Sequence, residues 1–234
     1  MSSTATGDPI EMRFVATEEK GEVSALLMRP GNAGALLVLG HGAGTSMRHA
    51  FLEDLSAALA AVGIATFRYQ FPYMERGGGG LDARPVLRAT VRSAVAAAAN
   101  AAPDLPLFAG GHSMSGRMTS LAVAEAPLSP LRGIVFVAFP LHPAGKPGTE
   151  RAEHLTQVAV PMLFLQGTRD DLGDLELLRP ICDRLGARAT LHVVETADHG
   201  FKVLKRSRSS DEPVHAELAR VIAGWMAAVA GTPA

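Results

Sequence analysis

The chain has a single cysteine among its 234 residues, Cys182, and only 5% of the residues are aromatic. One thiol excludes an internal disulfide framework and any cysteine-based metal cage. Charge of either sign is not in excess: 22 Lys and Arg stand against 23 Asp and Glu, for a net charge of −1. That balance lacks the basic footprint by which proteins hold nucleic acid or an anionic membrane surface, so neither is expected as a partner. Long apolar runs are also missing. A membrane helix needs about 18 uninterrupted apolar residues. Arg88 and Arg92 break one candidate, and Ser56, Gly63 and Thr66 punctuate the other. Residues 1–13 show no basic start followed by an apolar run, so no signal peptide is expected. What remains is an aliphatic chain, 47% hydrophobic, too apolar for disorder and long enough for one full core. The expectation is one cytoplasmic domain spanning 1–234.

The apolar runs are short and mostly separated by helix-length segments. Residues 36–39, 64–67, 107–109, 134–139, 162–165 and 191–194 read as strands, several of them unbroken, as strands buried on both faces are. Helical patterns fill 50–62, 85–101, 114–126 and 174–185. A last one at 213–229 carries Val214, Leu218, Val221, Ile222, Trp225 and Val229 at helical spacing. Two further strand candidates, 12–17 and 23–28, flank Glu18, Glu19, Lys20 and Gly21, which suit a hairpin turn. The pattern predicts an α/β fold: a mostly parallel eight-stranded sheet, antiparallel at its start, with helices on both faces. Gly77, Gly78, Gly79 and Gly80 form the one low-complexity patch. No Gly-Lys-Ser/Thr follows it, so it reads as a loop and not as a phosphate cradle.

The most informative stretch is Leu107-Phe-Ala-Gly-Gly-His-Ser-Met-Ser-Gly-Arg117. A buried strand runs into small residues, and a helix pattern follows at once. A serine on a sharp strand-to-helix turn exposes its hydroxyl at the carboxyl edge of the sheet, provided that small residues lie two positions before and after it. Gly111 and Ser115 occupy those positions around Ser113, giving Gly-x-Ser-x-Ser in place of Gly-x-Ser-x-Gly. The bland reading of Ser113 and Ser115 is as helix caps. The Met114 N–H then falls in the first helical turn, where it can meet a developing oxyanion.

A serine hydroxyl needs a base, and the base needs a carboxylate to orient it. Of the eight histidines, His199 fits best, on a loop beyond the last strand. His192 lies within that strand, His112 is expected to project away from Ser113, His215 reads as a solvated helix residue, and His41 as a structural hydrogen-bonding group. For the acid, Asp170 follows a buried strand and Gly167. Asp171, Asp174 and Asp198 are the alternatives, the first two as caps of the next helix. Chain order is then Ser113, Asp170, His199, that of α/β-hydrolases. The small residues of Leu39-Gly-His-Gly-Ala-Gly-Thr45 let backbone approach a substrate oxygen, with Ala43 the second oxyanion donor and Gly42 next. No His-x-x-x-His or carboxylate cluster offers a metal ligand set, and no cofactor is implied. Lys202, Lys205, Arg206 and Arg208 form a basic run that reads as solvated surface.

With these residues in place, the chain resembles the α/β-hydrolase superfamily over nearly its whole length. It is most similar to the compact group related to dienelactone hydrolases and the testis-expressed-protein-thirty proteins. Six stretches carry the resemblance: Leu39-Gly-His-Gly-Ala-Gly44, Phe67-Arg-Tyr-Gln-Phe-Pro-Tyr-Met-Glu-Arg76, Gly111-His-Ser-Met-Ser-Gly-Arg117, Phe139-Pro-Leu-His-Pro143, Leu165-Gln-Gly-Thr-Arg-Asp170 and Asp198-His-Gly-Phe-Lys202. The resemblance implies Ser113 as nucleophile, Asp170 as acid and His199 as base. It further implies that residues 69–76, 141–143 and Arg117 shape the site or its supports, with Tyr73, Met74 and His142 expected to meet the substrate. Dienelactone hydrolases carry cysteine at the nucleophile position, where this chain has serine.

Residues 139–160 separate the two strands between which lid domains of this superfamily are inserted, and so few residues cannot build one. An open, shallow site for a small-molecule ester, short-chain or bulky and exposed, is the leading expectation. Thioester hydrolysis, acyl transfer, peptide hydrolysis and perhydrolysis share the same triad, and a non-catalytic interaction module shares the fold.

Overall fold

The computed structural model describes residues 8–231, apart from the side chain of Lys205. Residues 1–7, part of the segment read as free of a signal peptide, lie outside the described residues. The chain opens with a hairpin, β1 (Ile10–Thr17) and β2 (Gly21–Met28), turning at Gly21 with φ +70°. Six strands follow: β3 (Ala35–Gly40), β4 (Ile64–Tyr69), β5 (Leu107–His112), β6 (Leu131–Val137), β7 (Met162–Gly167) and β8 (Ala189–Val194). Between and after them lie helices α1 (Ala50–Ala61), α2 (Pro72–Glu75), α3 (Arg84–Ala101), α4 (Met114–Glu125), α5 (Leu175–Leu185) and α6 (Val214–Gly231).

All eight strands form one sheet in the order β1-β2-β4-β3-β5-β6-β7-β8. β1 pairs antiparallel with β2 and β2 antiparallel with β4. From β4 to β8 every pairing is parallel. The chain thus has the α/β-hydrolase architecture, with its mostly parallel eight-stranded sheet and no lid insertion.

The unbroken apolar runs are strands because both of their faces are covered. In β3, Leu36 and Val38 belong to the apolar layer that also holds residues of α3, α4 and α5, while Leu37 and Leu39 belong to the layer of α1 and α6. Val91, Met118 and Ile181 anchor the helices of the first layer, and Leu55, Leu218 and Ile222 those of the second. A parallel sheet so sandwiched leaves only its edges and loops to solvent. The outer strand β1 carries Glu11 and Arg13 and has an irregularity in its register between Val15 and Thr17. At the other end β8 is partly exposed, and its His192 bonds Glu217 of α6 at 2.8 Å.

Several boundaries differ from the sequence pattern. The apolar run 134–139 reads as strand to its end, but β6 stops at Val137 because Ala138 adopts φ +60° and turns the chain out of the sheet. Residues 139–160 contain a 3-10 helix, Glu150–Gln157, which buries Ala152 and Leu155. α2 is four residues long, too short to show a 3.6-residue period. The patch at Gly77 is a loop, with φ of +89°, +97° and +104° at Gly77, Gly78 and Gly79. The basic run is not uniformly solvated: the Arg208 side chain is buried and bonds Glu217 and the Glu212 carbonyl.

Phe136 is fully buried, with ring centroids 4.5 Å from Phe164 and 5.0 Å from Phe139. Phe136→Ala leaves a cavity that these neighbours cannot fill. It is expected to lower unfolding free energy by about 3–5 kcal/mol in urea titrations at unchanged m. A loss under about 1 kcal/mol would show that the aromatic cluster is not a rigid part of the core.

Candidate active site

The carboxyl edge of a parallel sheet is where loops from several strands converge. Ser113 follows β5 directly, Asp170 lies just past β7, and His199 lies past β8. These loops bring the three side chains together. The Ser113 Oγ is 2.8 Å from His199 Nε2. On its other side, His199 Nδ1 is 2.9 Å from both oxygens of Asp170. The carboxylate is wholly buried, whereas the imidazole is 24% exposed.

The turn that carries Ser113 follows from close approach of small residues. A Cβ on Gly111 would lie 2.3 Å from Ser115 Oγ and 2.4 Å from the Gly40 carbonyl oxygen. One on Gly40 would lie 2.4 Å from the Ser115 Cβ. Gly111 has φ +142°, and Ser113 itself has φ +53° and ψ −113°. A left-handed φ at a non-glycine residue costs about 1–3 kcal/mol and persists only where the surroundings enforce it. Serine at 115, where the usual pattern has glycine, fits because its hydroxyl donates to the His112 carbonyl at 3.0 Å.

The Asp170 carboxylate is held on both of its oxygens. Leu172 N–H donates to Oδ1 at 2.8 Å, and the Gln166 amide donates to Oδ2 at 2.6 Å. The other end of that amide accepts the Phe139 N–H at 2.9 Å, which ties the acid to the segment after β6. The alternative carboxylates have other partners. Asp174 caps α5 through the Glu176 N–H at 2.8 Å, and Asp198 accepts the N–H groups of Gly200 and Lys202, each at 2.9 Å. Asp171 is exposed.

The segment after β3 is anchored from below. Phe71 N–H donates to His41 Nε2 at 3.2 Å, so the ring proton sits on Nδ1 and is given to the Gly42 carbonyl at 2.8 Å. Burial pushes this imidazole down to about 4, so it is neutral at pH 7. Tyr73 donates to the Ala43 carbonyl at 2.7 Å, and burial, with Asp82 nearby, pushes its hydroxyl up to about 12. Gly42 and Ala43 are thus fixed through their carbonyls. Met114 opens α4, where an N–H has no intrahelical acceptor.

Two residues that the resemblance gives to the substrate are instead buried supports. Tyr73 is 1% exposed and holds the Ala43 loop. His142 is 4% exposed, its Nδ1 donating to the Pro143 carbonyl at 3.0 Å and its Nε2 accepting the Asp174 N–H at 3.3 Å. Met74 is partly exposed on α2. His215 is not a solvated helix residue, since it packs on Phe51 with ring centroids 5.2 Å apart.

Sequence reasoning passed over Gln166 and gave His112 only as projecting away from Ser113. The His112 Nε2–H donates to the His199 carbonyl at 2.9 Å, with the two rings 5.2 Å apart, and burial pushes it down to about 4. The signal for Gln166 was a lone amide at the end of an otherwise apolar strand. Cys182 is buried in α5 and its thiol is pushed up to about 11, chiefly by burial, which leaves it inert as a nucleophile.

Comparison with known proteins agrees with this architecture. The family model described as "Alpha/beta hydrolase domain" matches residues 33–227. A dienelactone hydrolase from Anabaena variabilis superposes with a TM-score of 0.73 at 18% identity, over 95% of this chain and 99% of that one. An alpha-beta serine hydrolase homologue from Coxiella burnetii gives 0.70 at 17% identity, over 95% and 99%. A lidless a/b serine hydrolase from Xanthomonas campestris gives 0.67 at 17%, over 99% and 100%. The architecture is that of the α/β-hydrolase superfamily, in its lidless form. The chain belongs to the alpha/beta hydrolase domain family. Among the described residues, no helix is long and apolar enough to cross a membrane.

The imidazoles of His41 and His112 predict a pH dependence. His41 and His112 have values near 4 when folded against 6.5 when free, so the unfolded chain binds more protons between these limits. Their contribution to stability is intact above 6.5 and is lost as pH falls towards about 4. Urea unfolding from neutral pH downwards should show this decline, and His41→Gln should flatten it. An unchanged slope in His41→Gln would overturn the assignment.

Proposed function

We propose that the chain is a serine hydrolase that cleaves carboxylic esters of small molecules through an acyl-enzyme on Ser113. The observation that carries this reading is the continuous chain of contacts from Ser113 Oγ to His199 Nε2, and from His199 Nδ1 to Asp170. In the first half-reaction Ser113 Oγ attacks the ester carbonyl while its proton passes to His199 Nε2. Asp170, with its carboxylate buried, keeps the Nδ1 proton in place and stabilises the imidazolium that forms. The carbonyl oxygen becomes an oxyanion, received by the N–H groups of Met114 and Ala43, with Gly42 beside them. His199 then returns its proton to the departing alcohol. In the second half-reaction water, deprotonated by the same imidazole, attacks the acyl carbonyl and releases the acid.

The anchored segment after β3 supports this assignment of the oxyanion donors, because a preorganised donor loses nothing to reorganisation as charge develops. Met74, on the partly exposed side of α2, is the remaining candidate for substrate contact. The small extent of residues 139–160 supports an open site, suited to short or exposed acyl groups.

Turnover of 4-nitrophenyl acetate and butyrate, with labelling by a fluorophosphonate, tests the reading. Ser113→Ala should abolish both, and persistent labelling in that variant would sink the nucleophile assignment. Asp170→Asn should lower kcat by about 10⁴, as loss of the triad acid does in serine proteases. Asp171→Asn and Asp198→Asn should leave kcat largely intact. The reverse pattern would give the acid's role to another carboxylate.

A further inference from the structure

One turn into α4, the Arg117 N–H bonds the Ser113 carbonyl at 3.3 Å. Arg117 therefore lies in the first turn of α4, next to the turn that carries Ser113. Its half-buried side chain reaches the Arg151 carbonyl, with Nε 3.5 Å away. Arg151, at the start of the 3-10 helix, donates in turn to the Pro140 carbonyl at 3.5 Å. Arg84, the first residue of α3, is exposed and adds positive charge felt at Arg117. Pro140 follows β6, the strand next to β5, so this cluster lies at the sheet edge that carries Ser113.

The neighbouring arginines have carboxylate partners. Arg76 pairs with Asp82, and Arg88 and Arg92 pair with Glu125. Among the described residues, Arg117, Arg151 and Arg84 have no carboxylate at ion-pair distance, although Glu150 and Glu153 stand near Arg151 in the chain. The first turn of α3 has no acidic residue to offset its dipole. Burial, then the like charges of Arg151 and Arg84, push Arg117 down to about 10. His154, bonded to Ser120 at 2.8 Å, is pushed down to about 4 by burial and by Arg117, so it adds no charge of its own at pH 7. Arg117 and Arg151, half-buried and without a carboxylate partner, are unfavourable together and become favourable once an oxyacid joins them.

We propose that Arg117 and Arg151 form an anion subsite beside Ser113, which receives a carboxylate or phosphate group carried on the acyl part of the ester. The subsite rests on the esterase reading of Ser113 and narrows it to acidic esters. Planar, multiply donating guanidinium groups suit either oxyacid.

The test compares kcat/KM for mono-4-nitrophenyl glutarate with that for its neutral amide analogue, 4-nitrophenyl glutaramate. The wild type should prefer the anionic ester by roughly 10- to 100-fold, the range of a charge-assisted contact. High salt should narrow the preference, and Arg117→Met should bring it close to unity, with Arg117→Lys intermediate. Should Arg117→Met fail to fold, Arg151→Gln is read by the same ratio. Inhibition of 4-nitrophenyl acetate turnover by inorganic phosphate against free glutarate tells which oxyacid the subsite prefers. A wild-type ratio near unity, with the neutral ester still turned over, overturns the subsite and leaves the esterase reading standing. If neither ester is turned over and Ser113 is not labelled, the esterase reading fails. The anion site is then decided by melting temperature: an Arg117-dependent rise with glutarate or phosphate supports it, and no rise overturns it.

Discussion

Contact between three small residues, where β3, β5 and α4 meet, governs the geometry around Ser113. Gly40, Gly111 and Ser115 approach so closely that a Cβ on either glycine would overlap its neighbours. The chain therefore turns from strand to helix within a single residue, and that residue is left in the left-handed region at φ +53°. The sheet makes such strain sustainable. β3 is fully buried and β5 nearly so, and each is hydrogen-bonded on both sides, so neither can shift to relieve the turn. The serine hydroxyl is lifted above the sheet by the same packing that stabilises the core.

A ring of buried polar groups holds the three loops that converge there. Gln166 spans from the Asp170 carboxylate to the Phe139 N–H, His112 holds the His199 carbonyl, and His41 with Tyr73 fixes the carbonyls of Gly42 and Ala43. Burial keeps both supporting imidazoles neutral. Each ring can then act as a single directed donor with no uncompensated charge beneath the site. Apolar walls and satisfied polar links together leave these loops little freedom to move independently.

Much of this could be read from the sequence because its signals are local. Unbroken runs such as Leu36-Leu-Val-Leu39 mark strands covered on both faces, and all eight strands were legible. Ser113, Asp170 and His199 stand out because each follows a strand at a turn of small residues, and the structure brings them within hydrogen-bonding distance of one another. What the sequence hides depends on which way a side chain faces. Tyr73 and His142 belong to segments near the site, but burial turns them into supports for its loops. Their aromatic and imidazole character suits either role, and sequence cannot choose between the two. The partnership of Gln166 with Asp170 is equally hidden, since its other end reaches across to Phe139, 27 positions away in the chain. Arg117 and Arg151 are 34 positions apart and meet only when α4 and the 3-10 helix pack together.

The two outer strands bear on how copies of the chain meet at high concentration. An open sheet ends in rows of unpaired N–H and C=O groups, which template pairing with another chain. On β1, the charges of Glu11 and Arg13 and the break in register between Val15 and Thr17 spoil a flat docking edge. β8 is only six residues long and carries a histidine bonded to Glu217, so it too offers little length for an added strand. A chain this rich in aliphatic strands thus guards its margins against fibrous stacking, and loss of β1 would uncover the plain apolar edge of β2.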